Sequence, residues 1–411
     1  MPPRTPSQRS RIPAPEHVVA IAAVGLVAFG LVMVYSASSA TALLSDGDPL
    51  GTVVRQVVYA ALGGAAFIAA SRMSAATMRR IAGPALAITL FLLAIVLIPG
   101  IGTEVNGSRR WLALGGIAQL QPSEPAKLAL VLWIAALAAQ RGKRLGEWSS
   151  LAPFILVTGL MGGLILVEPD LGTAVLVGGA ALATLVAAGA RLRQLAAVAI
   201  GAAGIAALSI AAVPYRRERL LSFMDPWSDP EGAGFQVVQA EVALGSGGIT
   251  GVGLGQGLQK AFYLPEAHTD MILATVGEEL GLVGVVGLLG AFAVFAWAGF
   301  RIALAAPDPH RQAIAAGLTS LVVLQAAVNA GAVMGLVPVT GVPLPFVSFG
   351  GSSLIILLAS AGLLVNIGRN SREQGLRAVG GGASGADRGQ RDRRARDPGA
   401  RRGGGAVRAR G

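Results

Sequence analysis

Cysteine is absent from the sequence and charge is scarce: 13% of the 411 residues are Asp, Glu, Lys or Arg. The first absence rules out disulfides and thiolate-held metal. The second rules out an ordinary soluble enzyme, in which about 25% of residues are charged. Apolar residues take the space: 53% of the chain is hydrophobic and the mean hydropathy is +0.64. Among the charges, acids are the minority, 22 against 33 basic residues, for a net charge of +11. Much of that excess lies in the Arg- and Gly-rich end of the chain. Membrane topology and anionic headgroups explain it there better than nucleic acid does. No nucleic-acid partner is expected.

The uncharged runs are long and they recur. They lie near 17–36, 53–71, 81–100, 123–140, 151–167, 171–190, 194–213, 270–300, 311–335 and 350–368. As a helix, each reaches across a hydrocarbon layer of ~30 Å. The expected fold is an all-α polytopic integral membrane protein with about ten transmembrane helices. Residues 1–16 form a polar N-terminal tail, 17–370 the membrane domain, and 371–411 a disordered basic tail. No convincing cleavage pattern follows the first apolar run, so it is read as a retained span. Arginine sets the orientation. Arg72, Arg79 and Arg80, then Arg141, Lys143 and Arg144, then Arg191 and Arg193, then Arg301 and Arg311 mark the cytoplasmic side, together with both termini. Loops 37–52, 101–122, 168–170, 214–269 and 336–349 are then extracytoplasmic, and the large one, 214–269, joins helices 7 and 8.

The stretch Tyr263 to Gly281 carries the densest chemistry. His268, Thr269 and Asp270 stand where a polar loop enters an apolar run, and Glu278 and Glu279 follow inside that run. A carboxylate at the first turn of a membrane helix is half sheltered from water, which raises its pKa toward that of a general base. The alternative is that Asp270 only complements the helix dipole.

Four further stretches stand out. In Asn106 to Lys127, Arg109 and Arg110 lie on the outer side against the positive-inside trend, where guanidinium forks suit a phosphate. Glu124 and Lys127 lie one turn apart inside a span, either lining a cavity or locking two helices as an ion pair. In Glu168-Pro169-Asp170, two carboxylates flank a tight turn. Asp170 caps the next helix or, with Glu168, holds a divalent cation. The loop 214–269 adds Arg216, Arg217 and Arg219 outside, a short amphipathic helix after Gly234, and a glycine-rich stretch Gly245 to Gly257. That stretch is no phosphate-binding loop, because it lacks the Gly-Lys-Ser/Thr ending. It reads as close backbone packing. In Leu336 to Ser353, prolines and glycines prevent a regular helix, which is tolerated at membrane depth only where protein or a watery cavity covers it. Ser352 and Ser353 start the last span.

Together, NGSRRW…QPSEPAKLAL, EPDLGTAVL, GVGLGQGLQKAFYLPEAHTDMILATVGEELG and PVTGVPLPFVSFGGSS resemble the SEDS family, the peptidoglycan polymerases of the FtsW, RodA and SpoVE type. The resemblance covers about residues 17–370 in register. The segments at 105–111 and 259–270 lean toward FtsW, and Gly341 to Pro345 leans toward RodA. The resemblance implies an inverting glycosyltransferase that joins the disaccharides of lipid II on the outer face of the bacterial cytoplasmic membrane, in septal wall synthesis. It makes Asp270 the catalytic base. Arg109, Arg110, Glu124, Lys127, Asp170, His268, Ser352 and Ser353 would bind substrate, and Mg2+ or Mn2+ would sit among Glu168, Asp170 and Asp270. The implied partners are lipid II, a class B penicillin-binding protein transpeptidase and other division proteins. Four positions depart from the family pattern: Glu168 stands in place of glutamine, Met271 and Leu273 in place of aromatic residues, and Phe349 in place of tyrosine.

Two other functions fit a helical membrane protein with internal charges: a lipid II flippase and a scaffold for division proteins. A flippase needs a polar path reaching the cytoplasmic face. The inner loops are short and basic, with no carboxylate motif, which favours the enzyme.

Overall fold

The computed structural model describes residues 13–44, 48, 50–105, 108–113, 115, 119–232 and 234–395. Most of the N-terminal tail therefore lies outside the described residues, as do Asn106 and Gly107 and everything beyond 395. Each of the ten apolar runs lies on a helix. These are α1 (Pro15–Leu44), α2 (Gly51–Ser71), α3 (Ala75–Val96), α4 (Ser123–Arg141), α5 (Trp148–Val167), α6 (Leu171–Ala187), α7 (Leu192–Ala212), α11 (Ile272–Leu304), α12 (Pro309–Val333) and α13 (Gly351–Ala395). Eight of them are long and apolar enough to cross a membrane. The other two are α6, which is shorter, and α4, which carries Glu124, Lys127 and Arg141.

The helices differ in how deeply they sit. α12 and α13 are mostly buried inside the bundle, and α7 is almost wholly exposed. Small residues let the inner helices close up, as expected where no hydrophobic drive separates protein from lipid. Gly30 of α1 lies against the backbone of Phe346 and Val347, where an added Cβ would come within 2.6 Å of the Val347 carbonyl oxygen.

Two features add to the expected outline. The expected all-α fold also holds a small sheet. Residues expected as loop 101–122 form three antiparallel strands in the order β1 (Gly102–Val105), β2 (Ser108–Ala113), β3 (Gln119–Leu120). Thr103, Val105, Trp111 and Leu112 favour strand, and Val105 pairs with Ser108 across the two-residue connection Asn106-Gly107. Asn-Gly between such segments is the sequence signal for a hairpin. At the other end, residues expected to be disordered from 371 continue α13 as helix through Ala395. Glu373, Gln374, Leu376, Arg377 and Ala378 are good helix formers, which carries the helix past its apolar part.

The loop 214–269 is built from helices α8 (Pro214–Met224), α9 (Phe235–Gly247) and α10 (Gln259–Phe262). α9 is the amphipathic helix expected after Gly234. The glycine-rich stretch packs backbone to backbone as expected. α11 breaks at Gly281, whose φ is +64°, a conformation that suits glycine. The broken ladder is repaired from the loop. Val252 and Gly253 donate to the carbonyls of Glu278 and Glu279 at 3.0 Å each, and Leu282 donates to Gly248 O at 2.9 Å. Gly251 lies so close that an added Cβ would come within 2.1 Å of Glu279 O.

A candidate active site at the entry to α11

Asp270 stands two residues ahead of α11, in a turn whose Met271 N–H and Thr269 N–H both donate to Glu266 O. Its carboxylate is half-buried and accepts from Thr269 Oγ1 at 3.2 Å. Burial pushes the Asp270 carboxyl up to about 6, and the Glu266 charge pushes the same way. The Thr269 hydroxyl and the Arg219 charge pull it back. His268 packs its ring 5.6 Å from that of Phe349, and its carbonyl accepts from Phe349 N at 2.9 Å. Burial pushes the His268 ring below the usual histidine range against an opposing pull from Glu266, so the ring is neutral at pH 7.

The wall beside Asp270 is the irregular stretch before α13. A Cβ on Gly341 would lie 4.0 Å from Asp270 Oδ2. On its other side the same stretch meets the turn between α5 and α6, where a Cβ on Gly172 would lie 2.6 Å from Thr340 Cβ. Asp270 and the Glu168–Gly172 turn therefore flank one short segment.

Arginines fasten that turn. Arg110 of β2 donates to Glu168 O at 2.8 Å and Pro169 O at 2.7 Å, and lies 3.8 Å from Asp170 Oδ2. Arg216 of α8 donates to Leu166 O at 2.6 Å, and Arg219 of α8 donates to Val339 O at 3.2 Å. Cations at the carbonyl end of α5 also suit its dipole. Asp170 caps α6, accepting from Thr173 N and Thr173 Oγ1 at 2.9 Å each. Beside Arg219, a cavity of about 290 Å3 opens between α8, the start of α9 and Val339, lined among others by Glu218, Ser222 and Gln236.

Glu124 and Lys127 are both 2% exposed and form an ion pair at 2.9 Å. The ammonium also donates to Gln325 Oε1 of α12 at 2.9 Å, and Gln325 Nε2 donates to Pro343 O at 3.0 Å. One turn on, Asn329 Nδ2 donates to Val342 O at 2.8 Å and to Asp270 O at 2.6 Å. The buried pair thus reaches the Asp270 segment through two side-chain amides. Ser352 Oγ accepts from Gln121 N at 3.3 Å, and Ser353 Oγ is buried without a hydrogen-bond partner among the described residues.

Several expected site residues come together and others do not. Asp270, Glu168, Asp170 and Arg110 border one segment, and Lys127 is tied to it from below. Arg109 is set apart: it pairs with Glu104 of β1 at 3.0 Å, on the exposed face of the sheet. Glu168, Asp170 and Asp270 do not converge as metal ligands, and no group of three ligating side chains forms among the described residues. The three carboxylates are not gathered on one point, so this donor set does not fit the cation the sequence suggested.

Sequence reading passed over Gln325 and Asn329. Two large amides four residues apart in an otherwise apolar span were the available signal. It also passed over a second buried cluster, in which Lys260 of α10 pairs with Glu279 of α11, and Ser36 of α1 donates to Glu279 Oε1 at 2.7 Å. This cluster ties three helices together beneath the glycine-rich loop.

These features define a class: a helical membrane protein with a polar, largely buried site that includes the raised carboxyl of Asp270. The chain belongs to the FtsW/RodA/SpoVE family of cell cycle proteins, whose family model matches residues 16–373. It is 43% identical over 351 residues to a probable peptidoglycan glycosyltransferase FtsW of Geobacter metallireducens, covering 85% of this chain and 93% of that one. It is 39% identical over 362 residues to stage V sporulation protein E of Bacillus subtilis, covering 87% and 98%. Among solved structures it matches a chain of a peptidoglycan synthase complex that coordinates polymerization and crosslinking. There the TM-score is 0.70 at 34% identity, over 86% of this chain and 97% of that one. It matches the rod shape determining protein RodA of Thermus thermophilus with a TM-score of 0.63 at 30% identity, over 86% and 96%.

Proposed function

We propose that the chain is a peptidoglycan glycosyltransferase that polymerises lipid II into glycan strands, in septal wall synthesis. The observation that carries the mechanism is Asp270. A carboxyl that titrates at about 6 is mostly ionised at neutral pH and still basic enough to take a proton from a sugar hydroxyl. In the proposed step, the 4-hydroxyl of the incoming lipid II sugar attacks the anomeric carbon of the growing strand and Asp270 removes its proton. The bond from that carbon to the polyprenyl pyrophosphate breaks, and configuration inverts from α to β. Arg110 is the cation nearest the Asp170 turn and offsets charge developing on the leaving pyrophosphate. Lys127, buried and bonded to Glu124 and Gln325, holds structure instead. No step is routed through a metal.

The distribution of arginine supports an active site on the outer face of the bacterial cytoplasmic membrane, with both termini inside. A class B penicillin-binding protein is the proposed partner, in keeping with the similarity to a chain from a polymerizing and crosslinking complex. Other division proteins join it in this reading. The test is glycan synthesis from purified lipid II by the full chain and its cognate transpeptidase in detergent. Detergent abolishes the two compartments, so a flippase yields no product there and a polymerase yields strands.

A further inference from the structure

We infer that Gln325 and Asn329 of α12 are positioning residues that clamp Asp270 in place for the proposed reaction. The inference rests on the polymerase reading for its kinetic consequence only. Both side chains are buried and lie one turn apart on the same face of α12. Both side-chain amides donate to the irregular stretch. Gln325 Nε2 takes Pro343 O, and Asn329 Nδ2 takes Val342 O with one proton and Asp270 O with the other.

Those carbonyls have few alternatives. Residues 337–345 form no helix or strand, and an unpaired buried carbonyl is costly. α11 does not hold Asp270 O either, because Ala274 N donates to Met271 O. The Asp270 carbonyl is therefore held by Asn329 and not by its own helix, while Glu266 O closes the turn around it. Gln325 is fixed in turn by Lys127, and Lys127 by Glu124. Apolar side chains would fill the same space more cheaply in a span. What the two amides add is a set distance between the Asp270 backbone and the segment across from it.

The charged groups acting on the Asp270 carboxylate are Glu266, from its own turn, and Arg219, from α8. The α12 groups facing it are uncharged. Releasing the clamp lets the carboxylate swing toward solvent, which removes the burial that holds its pKa up. A residue that merely supported folding would reduce the active fraction and leave that titration where it was.

The experiment uses the full chain with its transpeptidase, comparing wild type, Asn329→Leu and Gln325→Leu. The expected result for Asn329→Leu is a kcat about tenfold to hundredfold lower with KM little changed. The acidic limb of its pH–rate profile moves to lower pH. Gln325→Leu, which leaves the Asn329 bonds in place, moves both in the same direction by less. In parallel, infrared titration of the carboxyl band lost in Asp270→Asn follows the same group with no substrate present. That band is expected to titrate at lower pH in both variants. Should wild type make no polymer, the polymerase reading fails and the infrared arm still decides the clamp. An unchanged carboxyl titration in the folded variants overturns the inference, as does a loss of rate with an unmoved acidic limb. If Asn329→Leu does not fold, Gln325→Leu decides on the same readouts.

Discussion

Glu168 and Asp170 are two residues apart and both buried, yet they are oppositely furnished. Asp170 accepts two hydrogen bonds from Thr173 and has the Arg110 guanidinium 3.8 Å away. Glu168 is 1% exposed and neither of its carboxyl oxygens has a hydrogen-bond partner among the described residues. Arg110 bonds only to its backbone carbonyl. Burial, reinforced by the neighbouring Asp170 charge and opposed by Arg110, pushes the Glu168 carboxyl up to about 8. At neutral pH it is a neutral acid, close in shape and charge to a glutamine.

A stability prediction follows from that state. A carboxyl raised from 4.5 to about 8 binds more protons folded than unfolded between those values, so its contribution to stability falls as pH rises across that window. Glu168→Gln has no proton to lose. The thermal unfolding midpoint of Glu168→Gln should match wild type near pH 4.5, exceed it increasingly up to about pH 8, and keep a constant lead above that. A lead that shrinks with rising pH would contradict a neutral Glu168.

The Glu124–Lys127 pair gives a second prediction. Removing one partner leaves the other charge buried and uncompensated, which costs about 3–5 kcal/mol. Lys127→Met and Glu124→Leu should each unfold far below wild type in detergent. The double variant should recover most of the loss, because neither charge remains. Equal instability of the double and single variants would mean that the pair's bond to Gln325, and not its charge balance, is what matters.

The two neighbouring arginines should separate sharply. Arg109 is spent on an exposed pair with Glu104, the kind worth ~0–1 kcal/mol. Arg109→Ala is expected to leave polymerisation within about twofold of wild type. Arg110→Ala strips the fastening of the Glu168–Asp170 turn and should lower kcat by about tenfold or more. Steady-state rates on lipid II for the two variants check this, and a reversed order would return Arg109 to the site.

Much of this was legible in the sequence, for physical reasons. The apolar runs announced a helical membrane domain, because a span must satisfy its own backbone. The break before Ser352 was legible from Pro338, Pro343 and Pro345, and the close backbone packing from the glycines between 245 and 257. Asp270 was legible because a carboxylate at the head of an apolar run is conspicuous. What stayed hidden was pairing. Nothing in the order of residues says that Arg109 turns to Glu104 while Arg110 turns to Glu168, since that depends on which face of β2 each occupies. Gln325 and Asn329 were hidden because polar amides carry no charge to mark them, and their partners lie far along the chain. The hairpin at 102–113 was within reach through Asn106-Gly107. It was missed because its strands are short and lie between long helices.

The central claim is that Asp270 is the base, and one comparison tests it most directly. Polymer formation from lipid II is followed across pH 4.5 to 8 for wild type and for Asp270→Asn, each with the cognate transpeptidase. The account predicts wild-type rates that fall as pH drops through about 6, where the carboxylate takes up its proton. It predicts no polymer at any pH from a folded Asp270→Asn. Equal polymer from both proteins, or a wild-type profile flat through pH 6, would contradict it.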